Sequence, residues 1–173
     1  MKVCVFCSAN SNIDAAYFEM ADSLARWAAA NGHQIVYGGC DMGLMERVAA
    51  STKAAGGTTI GVVPTIIERG GHASEHTDVT IPCDNLTDRK ALMMTQSDVF
   101  VALPGGIGTL DEIFTVAASA TIGYHHKPVY LLNVAHFWDS LITLLDDMQS
   151  HGMIRGSWQS LIHVIENPED ITV

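Results

Sequence analysis

Positive charge is scarce in this sequence: 9 Lys and Arg face 19 Asp and Glu, for a formal charge of −10 at pH 7. Nucleic acids and anionic membranes both need a basic footprint, so the balance argues against either as a partner. An anionic small molecule would have to be held by local features against the net field. Charged residues of both signs reach only 16% while hydrophobic residues reach 48%, which excludes disorder because apolar surface is plentiful. Long apolar runs are missing: no stretch approaches the ~20 residues of a bilayer span. The short run in MKVCVFCSANS is too brief for a signal-peptide core and reads as a strand. Cysteine is sparse, at positions 4, 7, 40 and 83. Cys4 and Cys7 form a CxxC without a second one, and three residues apart on a strand they point to opposite faces. Neither a metal site nor any other cofactor is expected, and reduced, buried thiols in the cytoplasm are. No glycine falls between Ser8 and Asn12, so the GxGxxG of a Rossmann dehydrogenase is missing after the first apolar run. The 173 residues suffice for one domain, covering 1–173, and not for two.

What is present is an alternation of short apolar runs with helical patterns. Strands are expected at residues 3–7, 34–37, 58–63, 79–82, 99–103, 129–132 and 161–165. Helices are expected at 15–30, 44–55, 86–97, 109–123 and 137–150, with Asp14 and Asn85 as N-caps. Residues 65–77 read as an irregular loop with a helical turn. Continuous apolar strands between helices imply an α/β, Rossmann-like, doubly wound parallel sheet with helices on both faces. Ligands of such sheets sit beyond the carboxyl ends of the strands.

One strand end carries the most information. Leu103-Pro104-Gly105-Gly106-Ile107-Gly108-Thr109-Leu110-Asp111-Glu112 runs from strand through glycines into helix. Free N–H groups and the positive dipole end suit a phosphate there, and the Thr109 hydroxyl adds a donor. Glu112 shares the helix face of Gly108 and Thr109 and so lies one turn from a bound phosphate, whereas Asp111 faces elsewhere. Arg89-Lys90, an adjacent pair in a chain poor in cations, opposes its helix dipole and is a second phosphate candidate. A third strand–glycine–helix segment, Val36 to Met45 with Gly38-Gly39, is a tight turn or a ribose or phosphate contact, with Gly39 the candidate residue. His125-His126, and the spaced His72 and His76, read as solvated loop positions rather than metal ligands.

PGGIGTLDE fits the PGGxGTxxE signature of the LONELY GUY (LOG) family, and Arg89-Lys90 fits the pair preceding it. VYGGCDMGLMERVA, KVCVFCSANS and GYHHKPVYLLN resemble further segments in the same order. The resemblance implies a phosphoribohydrolase that splits a nucleoside 5'-monophosphate, a cytokinin nucleotide or AMP, into free base and ribose 5-phosphate. It also implies Arg89 and Glu112 as catalytic pair, and Ser8, Gly39, Lys90, Gly105, Gly106, Gly108 and Thr109 as substrate-binding residues. A homodimer is implied too, and the small residues Ala117, Ala118, Ser119 and Ala120 would allow close helix packing. Cys40, Glu46, Ser119 and Thr121 depart from the usual family residues, the last two in the helix after the signature. The alternative is a nucleotide or cofactor carrier of the same fold without turnover. The label lysine decarboxylase, sometimes given to such sequences, is rejected because no lysine sits in a recognisable pyridoxal phosphate setting.

Overall fold

The computed structural model describes residues 1–172. Seven parallel strands form one sheet: β1 (Lys2–Phe6), β2 (Gln34–Tyr37), β3 (Thr58–Pro64), β4 (Val79–Cys83), β5 (Val99–Ala102), β6 (Val129–Leu132) and β7 (Ile162–Ile165). Their order is β4-β3-β2-β1-β5-β6-β7. The helices are α1 (Ala15–Ala30), α2 (Gly43–Ala54), α3 (Thr65–Arg69), α4 (Leu86–Gln96), α5 (Ile107–Thr121) and α6 (Asp139–Ser150).

Alternation along β1 explains the two-sided core. Val3 and Val5 pack with Leu24 and Ala28 of α1 and Leu44 and Val48 of α2. Cys4 and Phe6 face the other way, toward Met93 of α4, Ile113 and Val116 of α5, and Leu141 and Leu145 of α6. A strand buried on both faces must be apolar at every position, which is why β1 reads as an unbroken apolar run. Each such side chain contributes about 1.5–3 kcal/mol when fully buried. The order also defines the switch point. The chain winds outward from β1 to β4, returns through α4, and resumes at β5 on the other side of β1. Adjacent strand ends whose connections leave in opposite directions open a crevice, here between β1 and β5.

Local chemistry sets the helix ends. Asn85 Oδ1 accepts from the N–H groups of Thr87 and Asp88, at 2.9 and 3.0 Å, and Asp14 Oδ1 accepts from Ala16 N at 2.9 Å. Helix α2 starts one residue early, at Gly43, and two other starts shift by two residues. Helix α5 begins at Ile107 rather than 109, because Gly106 acts as the cap and its carbonyl accepts from Leu110 N at 3.0 Å. Helix α6 begins at Asp139 rather than 137. Asn133 closes a separate turn there, its Oδ1 accepting from Trp138 N at 2.7 Å and its Nδ2 donating to Asp139 Oδ1 at 2.8 Å. Among the described residues no helix is long and apolar enough to cross a membrane.

Candidate active site at the sheet switch point

The crevice between β1 and β5 is a cavity of about 280 Å³, near the lower end of the roughly 300–1,000 Å³ of small-molecule sites. Val5, Cys7 and Ser8 enter from β1 and the residues just after it, and Gly106, Gly108 and Thr109 from the glycine turn and the start of α5. Ser8 is tied to that turn, since its N–H donates to Pro104 O at 3.1 Å. Its hydroxyl oxygen accepts from Asn10 N at 3.0 Å, leaving the hydroxyl proton free to donate. Gly106 brings no side-chain cap to α5, so the first-turn N–H groups keep their capacity for an anion. Thr109 is buried on the same helix face.

One turn further along α5, Glu112 faces the same cavity and meets Arg89 of α4: Nη2 donates to Oε1 at 2.9 Å. Both side chains are sheltered, at 17% and 8% exposure. Burial pushes the Glu112 carboxyl up to about 7, with the Arg89 charge pulling the other way. Burial wins because the carboxyl is held out of water and only one guanidinium nitrogen reaches it. No protein donor among the described residues reaches its Oε2. The Arg89 Nε is buried without any hydrogen-bond partner. Such a carboxyl titrates near neutrality, where a proton-transfer group is most effective.

Six of the nine residues singled out from sequence line this cavity together: Ser8, Arg89, Gly106, Gly108, Thr109 and Glu112. The other three stand behind its wall. A Cβ on Gly105 would fall 2.1 Å from Thr109 Oγ1, so this glycine lets Thr109 pack over the turn. Gly39, with φ +73°, packs against Val63. Lys90 turns away to Asp111, its Nζ donating to both carboxylate oxygens at 2.7 and 2.8 Å. The two neighbouring cations of α4 thus take the two neighbouring carboxylates of α5, one pair inside the cavity and one outside. Asp111 is half exposed, so the outer pair is worth little. Lys90→Ala is expected to cost at most about 1 kcal/mol in a urea titration.

Gly38, Cys7, Ala9 and Met45, none of them chosen as site residues from sequence, also line the cavity, although Gly38 lay in the glycine pair noted there. Cys7 had a signal, since it directly follows β1 at the carboxyl edge of the sheet. Its thiol is pushed up by burial, so it serves as a neutral wall. Ser119 and Thr121 are not at the cavity; their hydroxyls donate back into α5, to Thr115 O and Ala118 O. Among the described residues no group of three or more His, Cys, Asp or Glu gathers as a metal site. A larger hollow of about 570 Å³ opens at the amino ends of the strands, beside His33, Gln34 and Asp98. It is open, and no pair of buried charges converges on it.

The match to known proteins follows this geometry. A family described as "possible lysine decarboxylase" matches residues 45–173. The rice (Oryza sativa subsp. japonica) protein "probable cytokinin riboside 5'-monophosphate phosphoribohydrolase LOGL3" is 38% identical over 161 residues, 93% of this chain and 76% of that protein. The chain belongs to the LOG family. The Arabidopsis thaliana LOG member "cytokinin riboside 5'-monophosphate phosphoribohydrolase LOG5" is 35% identical over 170 residues, 98% of this chain and 75% of its own. The LOG fold is shared with the molybdenum cofactor carrier protein MCP of Chlamydomonas reinhardtii, at TM-score 0.72 and 27% identity, covering 97% of this chain and 91% of that one. None of the lysines of this LOG-family chain lines the cavity, so it offers no amine for a Schiff base.

Proposed function

We propose that this protein hydrolyses the N-glycosidic bond of a nucleoside 5'-monophosphate, a cytokinin nucleotide or AMP, to free base and ribose 5-phosphate. The observation that carries the reading is the sheltered Arg89–Glu112 pair one helical turn beyond an uncapped helix N-terminus. The phosphate sits on the N–H groups of Gly108 and Thr109, helped by the hydroxyls of Thr109 and Ser8, with Gly105 and Gly106 letting it approach the backbone. Gly39 and Lys90 support this from behind, through the neighbouring turn and through Asp111. A ribose attached to that phosphate extends along α5 toward Glu112.

Breaking the bond from C1' to the base nitrogen leaves positive charge on the sugar, which the Glu112 carboxylate stabilises. Oε2 then takes a proton from the water whose oxygen bonds C1', and the departing base nitrogen takes one proton from solvent. Glu112 returns its own proton to solvent, so that the net reaction adds one water across the bond. Arg89 holds Glu112 in register and binds the sugar hydroxyls.

The protein is further read as a cytoplasmic homodimer. Its four cysteines are free and buried, in keeping with a reducing compartment. Ile107 and Phe114 on α5 and Ile122 just past its end form an exposed apolar stripe, with the small Ala118 between the last two. Of the small residues expected to pack a partner, Ala117 turns into its own core instead, because it falls on the buried side of the helix with Ile113 and Val116.

The likeness to a cofactor carrier keeps a second reading in view: binding without turnover. Incubation with AMP and with an N6-prenylated AMP, followed by chromatography, separates them. Free base from either substrate is the expected result. Tight binding of both without base release would favour the carrier.

A further inference from the structure

We propose that Gly38 is a positioning residue whose missing side chain is the seat that holds the Arg89 guanidinium against Glu112. The inference rests on the reading of Arg89 and Glu112 as the catalytic pair. Gly39 and Gly43 have φ of +73° and +59°, so their backbone already favours glycine. Gly38 is outside the left-handed region, so a positive φ is not what calls for glycine there. Space is what demands glycine there. A Cβ at position 38 would fall 3.0 Å from Met45 Sδ, 3.3 Å from Arg89 Nη1 and 3.7 Å from Arg89 Cζ.

The guanidinium has few other anchors. Nη2 donates to Glu112 at 2.9 Å, and Nε is buried with no hydrogen bond. With one side-chain hydrogen bond to orient it, the direction of the group is set by what it rests on: the Gly38 backbone, with Met45 alongside. The turn cannot retreat to admit a methyl group, because it is pinned from outside. Ser74 N donates to Gly39 O at 2.9 Å, and Asp41 N donates to His72 O at 3.0 Å. A methyl group at position 38 therefore displaces Met45, Arg89 or both. Moving Arg89 takes from Glu112 the charge that favours its ionised form.

The test combines Gly38→Ala, Met45→Ala and the double variant. Glu112 ionisation is followed by carbon-13 NMR, and base release is measured where the parent shows it. In Gly38→Ala the Glu112 midpoint is expected to rise by about 0.5–1, as an opposite charge moves away. Its kcat should fall roughly 10–100-fold with KM changed less than about threefold, since the phosphate site is untouched. In the double variant the methyl group takes the space left by Met45, so both quantities return toward the parent values. An unchanged midpoint in Gly38→Ala, or an equal loss with and without Met45, would overturn the seat. Should Gly38→Ala fail to fold, Met45→Ala alone decides: removing one side of the seat raises the midpoint, and no change sinks the proposal. A parent protein that releases no base would refute the catalytic reading while leaving the NMR comparison decisive for the seat.

Discussion

Glu112→Gln is expected to lower kcat/KM for base release by roughly 10³-fold or more, the scale of losing a group that acts on transition-state charge. The amide keeps the size and can still accept the Arg89 hydrogen bond, so nucleotide affinity should change less than about tenfold. Calorimetric titration with AMP beside the kinetic assay separates the two effects. A variant that retains activity would remove Glu112 from the mechanism.

The same carboxyl sets the pH dependence. Its ordinary value is 4.5 and burial raises it to about 7 in the folded protein. If the ionised form is the active one, kcat/KM climbs tenfold per pH unit below about 7 and levels above it. Stability runs the other way. The folded state binds a proton that the unfolded state has already released, so stability falls as pH rises from 4.5 to about 7 and is then constant. Glu112→Gln removes that fall, and at pH 8 the variant should melt no lower than the parent. A difference in melting between parent and variant that stays constant across this window would count against the raised value. The pairing makes physical sense: a sheltered, half-ionised carboxyl is poor for stability and suited to proton transfer.

Gly43→Ala is expected to cost about 3–5 kcal/mol, a large share of the roughly 5–15 kcal/mol that holds a domain folded. Two costs combine. The residue has φ +59°, and a Cβ there would fall 2.4 Å from the Ala9 carbonyl carbon and 2.7 Å from both Asn10 N and Ser8 O. Those are backbone atoms that cannot rotate away. Leu44 N also donates to Ser8 O at 2.9 Å, so the start of α2 clamps the segment that carries Ser8 to the cavity. Gly32 is the control, with φ +67° and nothing within 4 Å of its Cβ position. Gly32→Ala should lose only the backbone part, about 1–2 kcal/mol. Urea titrations of the two variants measure the difference, and equal losses would dismiss the close approach as the cause.

Much of this protein was legible in one dimension. Strands buried on both faces must be apolar throughout, and glycines at their carboxyl ends must leave room for backbone and ligand, so the alternation and the turn at 104–108 announced the doubly wound sheet. Helical geometry alone placed Glu112 with Thr109 and sent Asp111 elsewhere, and the cavity contains the first two and not the third. Asn85 and Asp14 could be read as caps because a cap is a local hydrogen bond. What the sequence could not hold were the pairings between distant elements. Arg89 and Lys90 are adjacent in the chain, and nothing in that spacing says that one turns inward to Glu112 while the other turns outward to Asp111. Gly38 and Gly39 look alike in sequence, yet one borders the guanidinium and the other packs on Val63. The raised carboxyl of Glu112 comes from the same source, since its surroundings exist only once β1, β2, α4 and α5 have met. Spacing along a chain determines which face of an element a residue takes, and only packing decides what that face meets.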